Sequence, residues 1–211
     1  MYNHSAEQLA HFLLQIKAIR LNVQNPFTWA SGWKSPVYCD NRKILSYPEV
    51  RNYVKDALTN IVSTYYPDTE VIAGVATAGI PHGALVADAL GLPFVYVRPK
   101  PKEHGMNNTI EGDLKTDAKV TVIEDVISTG GSSLKAVSDL RDAGAQVMGM
   151  AAIYTYNFDT AIQNFYREGV SLHTITQYHN LIEVAIREQF ISKEEEETLL
   201  LWRNNPEIWH K

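Results

Sequence analysis

Lys119-Val120-Thr121-Val122-Ile123-Glu124-Asp125-Val126-Ile127-Ser128-Thr129-Gly130-Gly131-Ser132-Ser133-Leu134-Lys135 is the stretch whose reading decides the fold. Its first seven residues are rich in β-branched side chains and predict a strand over Lys119–Asp125. The strand closes on two adjacent acids. A turn of Ser, Thr and Gly follows, and then a helix over Ser132–Ala143 stopped by Gly144. Glycines let backbone N–H groups approach a ligand closely. The helix N-terminus adds unpaired donors and positive potential, and the hydroxyls add more. Such a turn suits one phosphate monoester. The two carboxylates just before it repel a diphosphate but accept hydrogen bonds from sugar hydroxyls. The implied ligand is a ribose 5-phosphate, with its phosphate on Ser128–Ser132 and its diol on Glu124 and Asp125. Neither G-x-x-x-x-G-K-[ST] nor G-x-G-x-x-G occurs in the chain.

On either side, short apolar runs alternate with helical patterns. Upstream lie a strand over Glu70–Ala76, a helix over about Pro81–Leu90 ended by Gly91 and Pro93, and a strand over Pro93–Arg98. Residues 99–118 are polar and show almost no apolar pattern. Downstream lie a strand over Gln146–Tyr154, a strand near Ser171–Ile175 and a helix near Leu181–Phe190. This predicts an α/β fold, a central mainly parallel sheet flanked by helices. In such sheets ligands sit beyond the carboxyl ends of the strands, so the loops after residues 76, 98, 125 and 154 are where function is expected. At the N-terminus, Ser5 with Gln8 reads as a capping box opening a helix. Leu9, Phe12, Leu13, Ile16 and Ile19 are its stripe. Residues 23–45 read as irregular. A second box, Ser46 with Glu49, opens a helix striped by Val50, Val54, Leu58 and Ile61.

The chain has 211 residues, enough for one large domain. With 19 basic and 24 acidic side chains its net charge is -5, which argues against nucleic-acid binding as its main task. The single cysteine, Cys39, forms no internal disulfide, in keeping with a reducing compartment. No stretch approaches the ~18 apolar residues that span a bilayer. A cytoplasmic protein with no membrane or nucleic-acid partner is expected. His4, His11, His173 and His179 show no metal-ligand spacing, and no protein-held metal is expected.

Three further segments carry chemistry. Val75-Ala76-Thr77-Ala78-Gly79-Ile80-Pro81 joins a strand to a helix through small residues, whose amides can line an anion. Arg98, Lys100, Lys102 and His104 cluster in a stretch kept pliable by Gly105, Asn107, Asn108 and Gly112. Cations concentrated on a long loop of an acidic chain point to an anionic ligand. Phe27-Thr28-Trp29-Ala30-Ser31-Gly32-Trp33-Lys34-Ser35-Pro36-Val37-Tyr38-Cys39-Asp40 is rich in turns and aromatic rings, which stack on planar bases.

The segment over residues 119–137 resembles the phosphoribosyl diphosphate (PRPP) motif of the type I phosphoribosyltransferases. Arg98, Lys102, His104 and Gly105, followed by Ile110-Glu111-Gly112, are similar to the R-x-x-x-K-x-H-G and I-E-G of the orotate phosphoribosyltransferase family. The Phe27–Asp40 stretch resembles that family's F-T-x-x-S-G-x-x-S-P-x-Y. The resemblance runs through most of residues 5–205. It implies a type I phosphoribosyltransferase fold in one domain over 1–211, with a core over about 65–165. A hood over the base then comes from about 1–45 and C-terminal elements, with Trp202, Trp209 and the late leucines packing the last helix onto it. The implied reaction is orotate plus PRPP giving orotidine 5′-monophosphate and diphosphate.

On that resemblance, PRPP contacts Arg98, Lys102, His104, Thr77, Ala78, Glu124, Asp125, Val126, Ile127 and the Ser128–Ser132 turn (Ser128, Thr129, Gly130, Gly131, Ser132). Orotate meets Ser128, Tyr38 and Cys39. Arg98, Lys102 and His104 stabilise the departing diphosphate, with Lys102 or His104 protonating it, and Asp125 steadies the ribosyl cation. Mg²⁺ rides mainly on PRPP. The 98–113 loop reaches the neighbouring subunit's site, which implies a homodimer. Two departures stand out. Ala30 replaces a lysine found in some members, and Ile153-Tyr154-Thr155-Tyr156 lacks the arginine that some members carry for the orotate carboxylate. Recognition of that carboxylate is expected to rest on Ser128 and backbone amides. The competing readings are transfer to another base and a PRPP-sensing regulator. Lys102→Ala is expected to lower kcat far more than it weakens PRPP binding; unchanged turnover contradicts the leaving-group role.

Overall fold

The computed structural model describes residues 2–29, 31–100 and 109–209. Helix α1 (Tyr2–Gln15) starts before the expected cap, so Ser5 lies inside it and its carbonyl accepts the Tyr53 hydroxyl at 2.9 Å. A capping serine must sit outside helical φ/ψ space, so the Ser5–Gln8 box does not form. The helix ends at Gln15; Lys17 takes a φ of 56°, and Ile19, expected on the helical stripe, opens β1 (Ile19–Leu21). The stretch read as irregular holds three more short strands, β2 (Phe27–Thr28), β3 (Lys34–Ser35) and β4 (Val37–Cys39). They form two antiparallel ladders, β1 with β4 and β2 with β3. A 3₁₀ turn over Asn41–Ser46 leads into α2 (Pro48–Tyr65). Pro48 sits at the first helical position, where its fixed φ and missing N–H cost nothing. This makes Tyr47 the cap and leaves the expected Ser46–Glu49 box unformed.

The remaining elements follow the predicted alternation. They are β5 (Val71–Val75), α3 (Gly79–Leu90), β6 (Phe94–Val97), β7 (Ile110–Glu111), β8 (Lys119–Ile127), α4 (Gly131–Asp142) and β9 (Gln146–Thr155). The chain continues through α5 (Asp159–Arg167), β10 (Leu172–Gln177), α6 (Tyr178–Arg187) and α7 (Lys193–Asn204). Among the described residues the main sheet has the order β10-β9-β8-β5-β6-β7. Its pairs are parallel except for β7, which returns antiparallel along β6. β7 lies in the stretch predicted to be without structure; two residues are too few to leave a periodic signal. β8 and α3 each run two residues further toward the turns than predicted.

Both faces of this sheet are covered, and that is why its strands read as unbroken apolar runs. Ile72, Ile123, Ala151 and Ile153 point to one side, into a core with Leu9, Leu58, Leu181 and Trp202. Ala73, Val120, Val122 and Ile127 point to the other, against Val137, Leu140 and Phe165. The last helix is capped by Ser192, whose hydroxyl accepts the Glu195 N–H while Glu195 accepts the Ser192 N–H. Trp202 and Leu199, three residues apart on one helical face, are fully buried, whereas Leu200 and Leu201 are exposed. The Trp202 indole donates to the Lys34 carbonyl at 3.1 Å and meets Trp29, Tyr156, Phe158 and Tyr178 at 5.6–5.8 Å between ring centres. The C-terminal helix is thus locked to the N-terminal ladders.

His82, in the first turns of α3, is 1% exposed, and neither ring nitrogen has a partner among the described residues. Burial lowers its pKa to about 4, against about 6.5 in an unfolded chain. As pH falls from 6.5 to 4 the unfolded state takes up a proton that the folded state refuses, so stability is lost across that window. The shift corresponds to about 3 kcal/mol. The difference in unfolding free energy between wild type and His82→Leu, measured by urea titration, is expected to fall by that order between pH 7 and pH 4. A pH-independent difference contradicts it.

Candidate active site

The carboxyl ends of β5, β6 and β8 bring three loops together. The first joins β5 to α3. The Ala76–Thr77 peptide is cis, and the Ala76 N–H is held by the Val97 carbonyl at 2.9 Å. Helix α3 then starts at Gly79, directly against β8. A side chain on Gly79 would place its Cβ 2.6 Å from the Ile123 carbonyl oxygen and 3.5 Å from a carboxylate oxygen of Glu124. Only glycine permits that approach, and it brings the start of α3, directly after Thr77 and Ala78, against Glu124.

The second loop joins β8 to α4. The structure separates the roles of Glu124 and Asp125. Glu124 is buried; its Oε1 accepts the Asp125 N–H at 3.0 Å and its Oε2 accepts the Ser133 hydroxyl at 2.9 Å. It therefore ties the strand end to the first turn of α4. Burial, with the neighbouring Asp125 charge added, pushes its carboxyl well above the usual range. Asp125 is half-buried, and desolvation raises its carboxyl too. Its carbonyl is gripped by the Asn41 side-chain amide at 2.8 Å, a tie from the 3₁₀ turn that carried no signal in the sequence.

Val126 and Ile127 belong to β8 itself, paired with Tyr154 and Thr155. The Ile127 side chain is fully buried in the core and its carbonyl accepts the Tyr156 N–H. Ile127 thus has no side chain to offer a ligand. The turn proper runs Ser128-Thr129-Gly130. Gly130 has φ 82°, and a Cβ there would stand 2.7 Å from the Phe165 ring. Asn164 of α5 holds the Thr129 carbonyl at 3.0 Å. Gly131 and Ser132 then open α4, whose cap residue Gly130 makes no side-chain hydrogen bond to the first-turn N–H groups.

The third loop is the β6–β7 hairpin. Its base is closed by the Arg98 N–H on the Thr109 carbonyl at 2.8 Å and by the Arg98 guanidinium on Glu111 at 3.3 Å. Lys100 is exposed. The expected roles of Lys102, His104 and Gly105, and the Ala30 position, lie outside the described residues.

Beside Asp125 opens a cavity of about 370 Å³. Tyr38 and Cys39 line it from the N-terminal ladders, and Ser128 lines it from the phosphate turn, so the three residues expected at the base converge. Thr28, Trp29, Val126 and Tyr156 complete the lining. Thr28 and Trp29 lie in the aromatic stretch of the sequence, and Tyr156 lies in the loop region after residue 154 where function was expected, although it was not itself assigned to the base. The Trp29 indole donates to the Val37 carbonyl at 3.0 Å, and its ring centre lies 5.0 Å from that of Tyr156. Burial, then the charges of Asp125 and Asp40, push the Cys39 thiol up, so it is a neutral wall. An aromatic slot for a planar ring thus adjoins a phosphate cradle, and Ser128 belongs to both.

A glycine-rich phosphate turn after paired acids, at the end of a parallel strand, defines a phosphoribosyl-transfer fold. Residues 41–179 match the family described as Phosphoribosyl transferase domain. Over 201 residues the chain is 56% identical to the orotate phosphoribosyltransferase of Porphyromonas gingivalis, covering 95% of this chain and 96% of that one. Over 205 residues it is 51% identical to that of Cytophaga hutchinsonii, covering 97% and 98%. The crystal structure of orotate phosphoribosyltransferase from Aeropyrum pernix is similar at a TM-score of 0.75 and 28% identity, over 87% of this chain and 99% of that one. The chain belongs to the orotate phosphoribosyltransferase family. Among the described residues no helix is long and apolar enough to cross a membrane.

Proposed function

We propose that this site transfers the 5-phosphoribosyl group of PRPP to orotate, giving orotidine 5′-monophosphate and diphosphate, a step of pyrimidine biosynthesis. The observation that carries this reading is that Ser128 lines the aromatic cavity and also opens the phosphate turn. A base in the cavity and a ribose phosphate on the turn must then face each other across the Asp125 end of β8.

On this reading the phosphate is held by the hydroxyls and backbone N–H groups of Ser128–Ser132. Asp125 takes the ribose diol and, carrying negative charge beside the ring, steadies the oxocarbenium-like cation formed as the C1′–oxygen bond breaks. Glu124 acts mainly by fixing the turn, through Ser133. The amides of Thr77 and Ala78 face the diphosphate. Tyr38 and Tyr156 hold the pyrimidine so that its ring nitrogen attacks C1′ from the side opposite the leaving group. Arg98, with Lys102 and His104, offsets the charge that builds on the departing diphosphate.

The donor set suits a hard cation carried by substrate phosphates: Asp125 offers one accessible carboxylate and the turn offers oxygens, but no three acids or histidines converge among the described residues. Bound Mg²⁺ would neutralise diphosphate charge, and Asp125 would meet it through water. The Arg98–Glu111 pair fixes the base of the hairpin, and the reading includes a homodimer whose 98–113 loop completes the partner's site. A cytoplasmic location follows from the reaction proposed.

The test is an assay of purified protein with PRPP, MgCl₂ and, in turn, orotate, uracil, adenine and hypoxanthine. Orotate is expected to be consumed, with little or no turnover of the other bases and a large loss of rate when the metal is chelated. Turnover of another base without orotate contradicts the reading.

A further inference from the structure

Among the described residues, the lining of the cavity assigned to orotate holds no counter-charge. Its described lining is aromatic, aliphatic, hydroxylic or, at Cys39, a thiol, and contains no lysine, arginine or histidine. Orotate carries a carboxylate, and an anion taken from water into an aromatic slot without a charged or hydrogen-bonding partner loses several kcal/mol of hydration. Several cations lie near residues of that lining. Arg42, whose charge reaches Tyr38 and Asp125, is already paired with Asp40 at 2.6 Å. Arg20 lies over the Tyr38 ring, 4.9 Å from its centre, and over the Phe27 ring at 5.2 Å. The guanidinium is thus engaged by the two rings and does not line the cavity. Lys34 is different. The β2–β3 ladder pairs it directly with Thr28, a cavity residue, and its ammonium donates to the Thr28 hydroxyl oxygen at 2.8 Å.

That bond has a consequence for the cavity rim. With its oxygen accepting from Lys34, the Thr28 hydroxyl still has its own hydrogen to give. The ammonium has two further N–H donors. Lys34 has no acidic partner among the described residues, although several lysines and arginines of this chain do. Its carbonyl, in turn, is pinned by the Trp202 indole, which fixes the strand that carries it. Two donors, one of them charged, therefore sit side by side at the edge of an aromatic slot.

We propose that Lys34 and Thr28 form the subsite for the carboxylate of the base, one oxygen taking the Thr28 hydroxyl and the other the Lys34 ammonium. The inference rests on the reading of the cavity as the orotate site, and it replaces the expectation that Ser128 and backbone amides suffice. A charge-assisted hydrogen bond of this kind is worth roughly a 10-fold change in affinity or more.

The experiment compares wild type, Lys34→Gln, Lys34→Arg, Thr28→Val and Arg20→Gln in steady-state assays at several NaCl concentrations. Lys34→Gln is expected to raise the orotate KM about 10-fold, with kcat and the PRPP KM within about twofold of wild type. Lys34→Arg is expected to restore most of the affinity, and Thr28→Val to cost about threefold. Salt should raise the orotate KM of wild type but not that of Lys34→Gln, because only an ion pair is screened. An unchanged orotate KM in Lys34→Gln overturns the proposal. So does a rise that keeps the salt dependence, one shared with PRPP, or one produced by Arg20→Gln instead. A wild type that turns over PRPP but not orotate overturns the reading of the cavity as well, which separates the two failures.

Discussion

The site depends on one close contact, that of Gly79 with the carbonyl of Ile123. β5 and β8 are adjacent and parallel, so their carboxyl ends open on the same edge of the sheet. That adjacency alone leaves room for a side chain between α3 and β8. The missing Cβ at Gly79, which would otherwise stand 2.6 Å from the carbonyl oxygen, lets the helix start flush with the strand. The end of the Thr77–Ala78 loop is thereby brought against Ile123 and Glu124. A second contact, the Asn41 amide on the Asp125 carbonyl, clasps the N-terminal ladders to the same strand end. Together these place the amides proposed for diphosphate, the acid proposed for ribose and the walls of the base cavity around one short piece of β8.

Electrostatics complements that geometry. The chain is acidic overall, yet the proposed substrates are strongly anionic. Burial raises the Glu124 carboxyl, and both of its oxygens are taken up within the protein, by the Asp125 N–H and the Ser133 hydroxyl. The turn offers backbone N–H groups instead of cations. Fixed positive charge is set at the margins, with Arg98 at the hairpin base and Lys34 at the rim of the cavity. Such an arrangement keeps cations away from the ribosyl centre, where positive charge builds, and near the groups that carry negative charge.

The sheet was legible in the sequence because burial on both faces leaves uninterrupted apolar runs, and glycines such as Gly91 and Gly144 stop its helices at the expected places. The phosphate turn was legible because its chemistry is contiguous. What escaped had no local cause. β1 to β4 and β7 are two or three residues long and form only because a partner strand lies alongside. Ser5 and Ser46 looked like caps, but the helix start is decided by an extra turn before Ser5 and by Pro48 after Ser46. Asn41 and Lys34 join the site through a contact spanning tens of residues in sequence or through a two-residue ladder, which periodicity does not register, and the role of Tyr156, in a loop that was flagged, depends on Trp29 packing beside it. The different duties of Glu124 and Asp125 also needed coordinates, since adjacent strand residues point to opposite faces.

The central claim is that base and phosphate occupy two adjoining sites that meet at Ser128. A crystal structure of the protein with orotidine 5′-monophosphate tests it most directly. The account predicts the pyrimidine ring inside the cavity against Tyr38 and Tyr156. It predicts the phosphate within about 3 Å of backbone N–H groups of the Ser128–Ser132 turn. A ring bound outside that cavity, or a phosphate seated on the Thr77–Ala78 loop, would contradict it.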